Sequence, residues 1–228
     1  MSEVWDTLIK IQDRLIERFD ATGNEVQEPG MDRFNQPGWV NRVWSSDNYR
    51  RAHVDVVDAR ESKGLWMMHC CVFPHTNSNA PIFGLDVIAG KNKITGFFHD
   101  FSPTTDPSHP MIEGFADEVA KLEWRKPREL PDWAKAIFTE SMVAAGNVNS
   151  EQELEQLLEL SFDSIDAYLS EVGNYAETTD VEKGKAAQNR YAHFQKQNPH
   201  TPRTMTSLGL DEEDVRMFVQ ECLFPDIE

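Results

Sequence analysis

The spacing of apolar positions changes twice along the chain, and these changes divide it into predicted elements. Residues 3–19 place apolar side chains three and four apart, which predicts an amphipathic helix. A turn region rich in glycine and proline follows at 22–38, and then come five strand-like segments, at 39–45, 50–58, 65–73, 81–89 and 94–101. Helical spacing returns at 111–125, 151–172, 181–196 and 211–224. Ser150 and Glu153 have the spacing of a capping box at the start of the second of these helices.

The links between the strand-like segments predict the topology of the sheet. Each link is only a few residues long, whereas a crossover between parallel strands needs a dozen or more. We therefore expect an antiparallel meander. With helices before and after it, the fold class is α/β: a three-layer α/β/α sandwich with a central antiparallel sheet flanked by helices. Neither a repeat nor a linker divides the sequence, so residues 1–228 are predicted to form one domain.

Two polar residues interrupt otherwise apolar strands. His69 lies within "LWMMHCCVFP" (65–74), and Asp86 lies within "PIFGLDVIAG" (81–90). A hairpin folded symmetrically about Asn77 and Ser78 brings residues whose numbers sum to 155 opposite one another, and 69 and 86 do so. Opposed side chains on one face of a sheet have Cβ atoms about 4.5–5.5 Å apart. The spacing therefore predicts that His69 and Asp86 form a pair.

A second polar pair precedes the first. His53 and Asp55 are two residues apart on a predicted strand, so they share a face.

The simplest interpretation of the His69–Asp86 pair is a buried hydrogen bond without further function. The alternative is a coupled unit that holds and releases protons near neutral pH. A weaker alternative is a non-haem iron site of His53, Asp55 and His69, for which the spacing is only generic.

The charge of the chain limits its partners. The formal net charge of −17 repels a phosphate backbone, so nucleic-acid binding is not expected. Residues 147–182 contain ten acidic groups and neither Lys nor Arg, as a solvated acidic helix would. The alternative is that a local basic patch recruits an acidic ligand or partner. The candidate basic residues are Arg125, Lys126, Arg128, Lys183, Lys185, Arg190, Lys196 and Arg203.

Other features of the sequence favour a cytoplasmic protein. No apolar stretch approaches the about 20 residues that cross a bilayer, and "MSEVWDTLIK" lacks the pattern of a signal peptide. The three cysteines have neither the spacing of a disulfide framework nor that of a metal knuckle, so we expect them to be reduced. GxGxxG and GxxxxGK[ST] loops are absent from the sequence, and we expect no permanently bound nucleotide, flavin or metal. A monomer is expected.

Several motifs together resemble a known family. "MMHCCVFPHTNSNAPIFGLDVIAG" contains both His69 and Asp86, and four further pieces follow in order: "DFSP" (100–103), "RELPDW" (128–133), "QKQNPHT" (195–201) and "ECLFPDIE" (221–228). In these pieces the chain resembles the ferredoxin-dependent bilin reductases. The resemblance is strongest to the phycocyanobilin-forming branch and to its phage-type, phycoerythrobilin-forming relatives.

The resemblance implies an enzyme that takes its electrons from a partner. Such enzymes hold an open-chain tetrapyrrole, biliverdin IXα, between the sheet and the carboxy-terminal helices and carry no cofactor of their own. A [2Fe–2S] ferredoxin delivers single electrons, the bilin becomes a radical, and the protein supplies protons. The central His and Asp of the family fall on His69 and Asp86.

The resemblance also implies roles for other residues. Arg128 and His200 are implied in holding the propionates, and Asn198 lies at a polar position beside the substrate. His53 is a candidate substrate-binding residue and Asp55 a candidate proton donor.

Two departures from the family pattern affect the product. Where phycocyanobilin-forming enzymes have a glutamate two residues after a histidine, this chain has Asp55, and its spacing to His69 is shifted by two. Pro199 stands where phycoerythrobilin-forming relatives often have an aspartate. The expected reaction is a four-electron reduction of biliverdin to phycoerythrobilin through 15,16-dihydrobiliverdin. The alternatives are reduction to phycocyanobilin and a bilin-binding protein without activity.

Overall fold

A seven-stranded sheet forms the middle layer of the protein. The computed structural model describes residues 2–34 and 37–228, so residues 35 and 36 of the predicted turn region lie outside it. The strands follow one another across the sheet in chain order, and every neighbouring pair is antiparallel. They are β1 (Asn24–Val26), β2 (Trp39–Ser45), β3 (Arg51–Ala59), β4 (Leu65–Phe73), β5 (Ile82–Gly90), β6 (Lys93–Ser102) and β7 (Val143–Ala145). The predicted meander is confirmed.

Helices cover both faces of this sheet, which confirms the predicted three-layer fold. The two longest helices pack on one face, and other helices pack on the opposite face together with the carboxy-terminal residues. The helices are α1 (Glu3–Thr22), α2 (Arg60–Lys63), α3 (Pro110–Val119), α4 (Asp132–Lys135), α5 (Glu151–Glu171), α6 (Val181–Gln195), α7 (His200–Ser207) and α8 (Glu212–Met217). A π-helical turn, Phe218–Leu223, continues α8. Of the helices in the described part of the chain, none combines the length and the apolar character needed to span a membrane.

The strands separate two hydrophobic cores because their side chains alternate between the two faces. On the first face, residues such as Val54, Met68 and Leu85 pack against α1, α3 and α5. On the second face, residues such as Val57, Cys71 and Ile82 pack against α6, α7 and α8. The second face also carries the polar residues that interrupt the apolar pattern, so the site lies under the carboxy-terminal helices.

Two predicted helices have different ends in the structure. The helix predicted at 111–125 ends at Val119, and Leu122 and Trp124 pack on the first core from a loop. Both side chains are half-buried there, so their packing accounts for the apolar spacing without a helix. The helix predicted at 211–224 is α-helical only to Met217. Ser150 caps this helix as predicted, since the Glu153 amide donates to its hydroxyl at 3.3 Å. The reciprocal half of a capping box is not formed in the described chain, because the Glu153 carboxylate accepts from Arg125 and from the Ser150 hydroxyl.

Several short elements have no counterpart in the prediction. Strands β1 and β7 have three residues each, and α2, α4 and α7 have four to eight. A segment this short shows no measurable hydrophobic period. β7 exists because it pairs with β6, more than 40 residues earlier in the chain. Such pairing depends on the complete fold and not on the local sequence.

Candidate active site

A row of polar side chains crosses the middle of the second sheet face. Asp55 on β3 is directly opposite His69 on β4, and His69 is directly opposite Asp86 on β5. Asn41 on β2 extends the row on one side, and Phe98 on β6 ends it on the other. The predicted facing of His69 and Asp86 is therefore confirmed. The structure adds a second carboxyl group, so that the imidazole lies between two.

The inner members of the row remain available to a ligand. Within residues 2–34 and 37–228, the side chains of His69 and Asp86 form no hydrogen bond, and Nδ1 of His69 is buried without a partner. Both residues are half-buried, so a bound molecule can reach them. The hydrogen bond expected in the simplest interpretation of the pair is not formed. A buried polar atom without a hydrogen-bond partner destabilises the folded protein. Such atoms occur where a ligand supplies the missing partner.

The outer members are held by their neighbours. The indole Nε1–H of Trp39 donates to Oδ1 of Asp55 at 2.6 Å. Nε2 of His53 donates to the Oδ1 of Asn41, and the rings of His53 and His69 lie 6.0 Å apart in an edge-to-face arrangement. These contacts fix the orientation of Asp55 and His53 in the absence of any ligand.

Burial shifts the titration of this row toward neutral forms. It raises the pKa of Asp86 to about 7. It also raises the pKa of Asp55 to about 7, although the hydrogen bond from Trp39 opposes the shift. Burial, assisted by the nearby charge of Arg51, lowers the pKa of His69 to about 3. At neutral pH the site thus contains a neutral imidazole and two carboxyl groups that readily gain or lose a proton.

The carboxy-terminal residues form a roof over the row. The ring of Phe224 lies 5.3 Å from that of His69, edge to face. Arg51, a buried residue of β3, donates to the carbonyl oxygen of Cys222 at 2.7 Å and pairs with Glu28 through two hydrogen bonds. Because the Glu28 carboxylate balances its charge, Arg51 can remain buried and tie the chain end to the sheet.

Comparison with known proteins identifies the family. The family model described as ferredoxin-dependent bilin reductase matches residues 8–225. The chain belongs to the ferredoxin-dependent bilin reductase family. A curated phycocyanobilin:ferredoxin oxidoreductase of Synechococcus sp. (strain CC9902) is 27% identical over 190 residues, which are 81% of this bilin reductase and 74% of that protein.

Solved structures agree with this assignment. The structure of a protein titled PcyX is 37% identical, with a TM-score of 0.72, over 97% of this chain and 99% of that one. Tomato phytochromobilin synthase, solved in complex with biliverdin, has a TM-score of 0.74 over 94% of this chain and 81% of its own, at 15% identity. The second likeness shows the fold alone.

Arg128 lies at the β6 end of the row. Its guanidinium is 5.5 Å from the centre of the Phe98 ring, and Phe98 is directly opposite Asp86. A Cβ atom on Gly96 would come within 3.1 Å of Nη1 of Arg128, so the glycine gives the guanidinium room. The side chain is exposed and forms no ion pair with any residue that the structure describes. A cation in this position suits a carboxylate at the edge of the bilin reductase site.

Asn198 and His200 lie where α7 begins. Asn198 belongs to the turn after α6, and the amide of His200, the first residue of α7, donates to Oδ1 of Asn198 at 3.0 Å. His200 is exposed and Asn198 half-buried. Among the described residues, neither side chain forms a hydrogen bond with a member of the row. Their assignment as substrate-binding residues therefore stays a prediction.

The other candidate sites receive little support. Among the residues that the structure describes, the His, Cys, Asp and Glu side chains form no group of three placed to hold a metal ion. The iron site considered for His53, Asp55 and His69 thus has no geometric support. A cavity of about 610 Å³ lies on the other side of the sheet, between α3 and α5, and is remote from the row.

Sequence reasoning missed Asn41, Trp39 and Arg51, and also the contact between Asp55 and His69. Observed pairs sum to 96 between β2 and β3 and to 124 between β3 and β4. Symmetric folding of the predicted links 46–49 and 59–64 gives sums of 95 and 123, which are one residue out of register. The links alone would therefore pair Asp55 with Met68 and not with His69. No local signal indicates the contact of Arg51 with Cys222, which are 171 residues apart.

Proposed function

We propose that this bilin reductase converts biliverdin IXα to phycoerythrobilin through 15,16-dihydrobiliverdin, with reduced [2Fe–2S] ferredoxin as the electron donor. The observation that carries the proposal is the row Asp55–His69–Asp86, in which the imidazole and the Asp86 carboxyl group lack protein partners within the described chain. A carboxyl group such as Asp86, which titrates near neutrality and is open to a ligand, is suited to proton transfer.

The chemistry requires protons in the same number as electrons. Each of the two reductions adds two electrons and two protons across a conjugated system, so the complete reaction consumes four of each. Ferredoxin supplies single electrons, and the bilin therefore passes through radical states. The protein has to deliver each proton to a defined carbon or nitrogen. Two carboxyl groups with raised pKa values, separated by one imidazole, can act in sequence.

We assign the roles within the site as follows. Asp86 is the essential proton donor, and His69 shares its proton and positions the pyrrole oxygens. Asp55, which the structure places beside His69, is a candidate donor for one of the two reductions. His53, which lies beside the row and is completely buried in the structure, is proposed as a substrate-binding residue. Arg128, Asn198 and His200 hold the propionates and neighbouring polar atoms.

Ferredoxin is proposed to dock on the basic side of the molecule. Lys183, Lys185 and Arg190 belong to α6, and Arg203 belongs to α7. These helices cover the sheet face that carries the site. An acidic donor attracted there would release its electrons close to the bilin, and electrostatic attraction would favour encounter despite the negative net charge.

The product is the most specific part of the proposal. Asp55 is shorter than the glutamate of phycocyanobilin-forming enzymes, and Pro199 cannot donate a proton. The first difference disfavours reduction of the D-ring vinyl group by the route of the phycocyanobilin-forming enzymes. The second removes a proton donor that phycoerythrobilin-forming relatives often have, so the proposed product rests on the resemblance to the phage-type, phycoerythrobilin-forming branch. The names of the curated relatives favour the alternative product, phycocyanobilin.

Anaerobic turnover with reduced ferredoxin, followed by chromatography of the bilins, tests the reaction. We expect dihydrobiliverdin to appear first and phycoerythrobilin to accumulate. Phycocyanobilin as the main product would contradict the product assignment. A bound bilin whose absorbance spectrum does not change after addition of reduced ferredoxin would indicate a bilin-binding protein without activity.

Replacement of Asp86 tests the assigned proton donor. We expect Asp86→Asn to bind biliverdin and then stall at a radical or an early intermediate, detectable by absorbance and electron paramagnetic resonance. Asp100→Asn is the matched control, because Asp100 is an aspartate on the neighbouring strand β6 that is buried and already accepts hydrogen bonds from Ser102 and Thr139. Normal turnover by Asp86→Asn would remove this residue from the mechanism. Equal losses in both variants would indicate a structural effect.

A further inference from the structure

The two carboxyl groups beside His69 differ in their hydrogen-bond donors. Asp55 accepts the indole N–H of Trp39 at 2.6 Å. In the part of the chain that the structure describes, no donor reaches the carboxyl group of Asp86. The two also differ in access, since Asp55 is 3% exposed and Asp86 is half-buried. The site is therefore asymmetric about its imidazole.

The packing of Trp39 fixes the direction of this N–H. The indole is 6% exposed and lies 5.9 Å from the ring of Phe34 and 5.2 Å from that of Phe218. Those two rings are themselves 5.1 Å apart, so the three form a closed aromatic cluster. A donor held by packing on two sides retains its geometry whether or not Asp55 carries a proton.

We propose that Trp39 holds Asp55 as the carboxylate and thereby leaves the shared proton on Asp86, the more accessible of the two groups. Two carboxyl groups around one imidazole do not ionise independently, because ionisation of the first opposes ionisation of the second. A donor that favours one carboxylate therefore determines which group keeps the remaining proton. Trp39 is on this account a positioning residue, and it acts through Asp55.

Among the surroundings of Asp55, the hydrogen bond from Trp39 is the influence that favours its carboxylate form. The titratable and charged groups that face it are His53 and Arg51 on its own strand, His69 on β4, Asp86 on β5 and Cys222 in the roof. Burial raises the pKa of Asp86 to about 7, and burial together with the charge of Asp86 raises that of Asp55 to about 7 against the hydrogen bond from Trp39. Without this hydrogen bond the more deeply buried Asp55 would have the higher proton affinity, so the charge-assisted contact is what opposes protonation of Asp55.

The part of the proposal that concerns Asp86 as donor depends on the proposed function, whereas the order of ionisation does not. The order is therefore tested without bilin or ferredoxin. In an Asp86→Asn background, the infrared carbonyl band of protonated Asp55 is followed as a function of pH. We expect Trp39→Phe to raise the pKa of Asp55 by one unit or more, a tenfold change in its proton dissociation constant.

Trp124→Phe is the matched control. The indole Nε1 of Trp124 is also buried, but it has no partner among the described residues and packs beside Phe97 on the first core. The Trp124→Phe substitution should leave the pKa of Asp55 unchanged. A folded Trp39→Phe variant with an unchanged pKa at Asp55 would overturn the proposal.

A measurement on the unaltered protein covers the case in which Trp39→Phe does not fold. The indole N–H resonance of Trp39, identified by its response to Asp55→Asn, should titrate with the lower of the two carboxyl pKa values. Titration with the higher value would mean that Asp86 ionises first, which contradicts the proposal. A protein that passes this test but leaves biliverdin unreduced would contradict only the proposed function.

Discussion

His69 shows how strongly position changes the chemistry of a single residue. On an exposed surface its pKa would lie near neutrality. In this site burial and the charge of Arg51 lower the pKa to about 3. The same burial has the opposite effect on the flanking carboxyl groups, because it disfavours whichever form is charged. Near neutral pH the carboxyl groups, and not the imidazole, therefore carry the exchangeable protons.

These shifts predict a pH-dependent effect of Asp86→Asn on stability. The folded pKa of Asp86 lies above its unfolded value of 3.8, so the folded state binds more protons between these values. Asp86 therefore lowers the free energy of unfolding as the pH rises through this window, and asparagine does not. We expect the stability of Asp86→Asn relative to the natural protein to increase by about 2 kcal/mol between pH 5 and pH 8. Urea unfolding at both values measures it.

Asp58→Asn provides a control of opposite sign. The hydrogen bonds from Arg60 lower the pKa of Asp58, so its contribution to stability is present above the unfolded pKa and is lost as the pH falls. Its replacement should cost more at pH 8 than at pH 3. A difference between Asp86→Asn and the natural protein that is constant from pH 5 to pH 8 would contradict the shifted pKa of Asp86.

At the scale of elements, the docking of α6 positions one wall of the site. Tyr191 on this helix contacts Cys71 on β4, with the two side-chain atoms 3.9 Å apart. Gln188 donates to the carbonyl oxygen of Pro74 at 3.0 Å. Near the start of the helix, a Cβ atom on Gly184 would lie 1.9 Å from the backbone oxygen of Thr76. Glycine is thus required where the helix meets the hairpin between β4 and β5.

We expect Gly184→Ala to destabilise the protein by about 1–3 kcal/mol, the usual range for overpacking, because the clash is with backbone. Gly114→Ala is the matched control in α3, where a Cβ atom would meet nothing within 4 Å. It should stabilise the protein by about 0.5–1 kcal/mol, the difference between glycine and alanine inside a helix. Thermal unfolding of the two variants measures this contrast. Equal effects of the two substitutions would contradict the close contact of α6.

The prediction of elements succeeded where the sequence repeats a pattern over several turns or strand residues. β4 agrees with the predicted 65–73 at both ends, and α5 differs from the predicted 151–172 by one residue. It failed for β7, which is defined by hydrogen bonds to β6, and for the end of α3, where loop residues fill the core. The spacing of apolar residues indicates which side chains are buried. It does not indicate whether a helix, a strand or a loop buries them.

At the scale of the whole molecule, the net charge of −17 opposes the compact state. Part of the acidic surface of α5 is neutralised by α1, where Arg14 and Arg18 both pair with Asp166. Other carboxylates of α5, such as Glu159 and Asp163, are exposed and have no ion pair within the described residues. Repulsion between these groups is open to screening by salt.

We therefore expect the midpoint of urea unfolding to rise between 0.05 M and 0.5 M NaCl, because the Debye length falls to a few Å. The double variant Glu159→Gln with Asp163→Asn should be more stable than the natural protein at low salt, and the gain should shrink at high salt. A gain that does not depend on salt would indicate helix propensity and not charge. A fall in the midpoint of the natural protein with salt would contradict net repulsion.

The sequence by itself determined the order of β2 to β6, the alternation of faces and the facing of His69 and Asp86, because these follow from local periodicity and short links. Only the tertiary structure decided that Asp55 completes the row, that Trp39 donates to it, and that Arg51 ties the chain end over the site. The last two contacts depend on packing and burial across the folded molecule. The pKa values of the row depend on the same burial, because the surroundings of a charge exist only once the chain has folded.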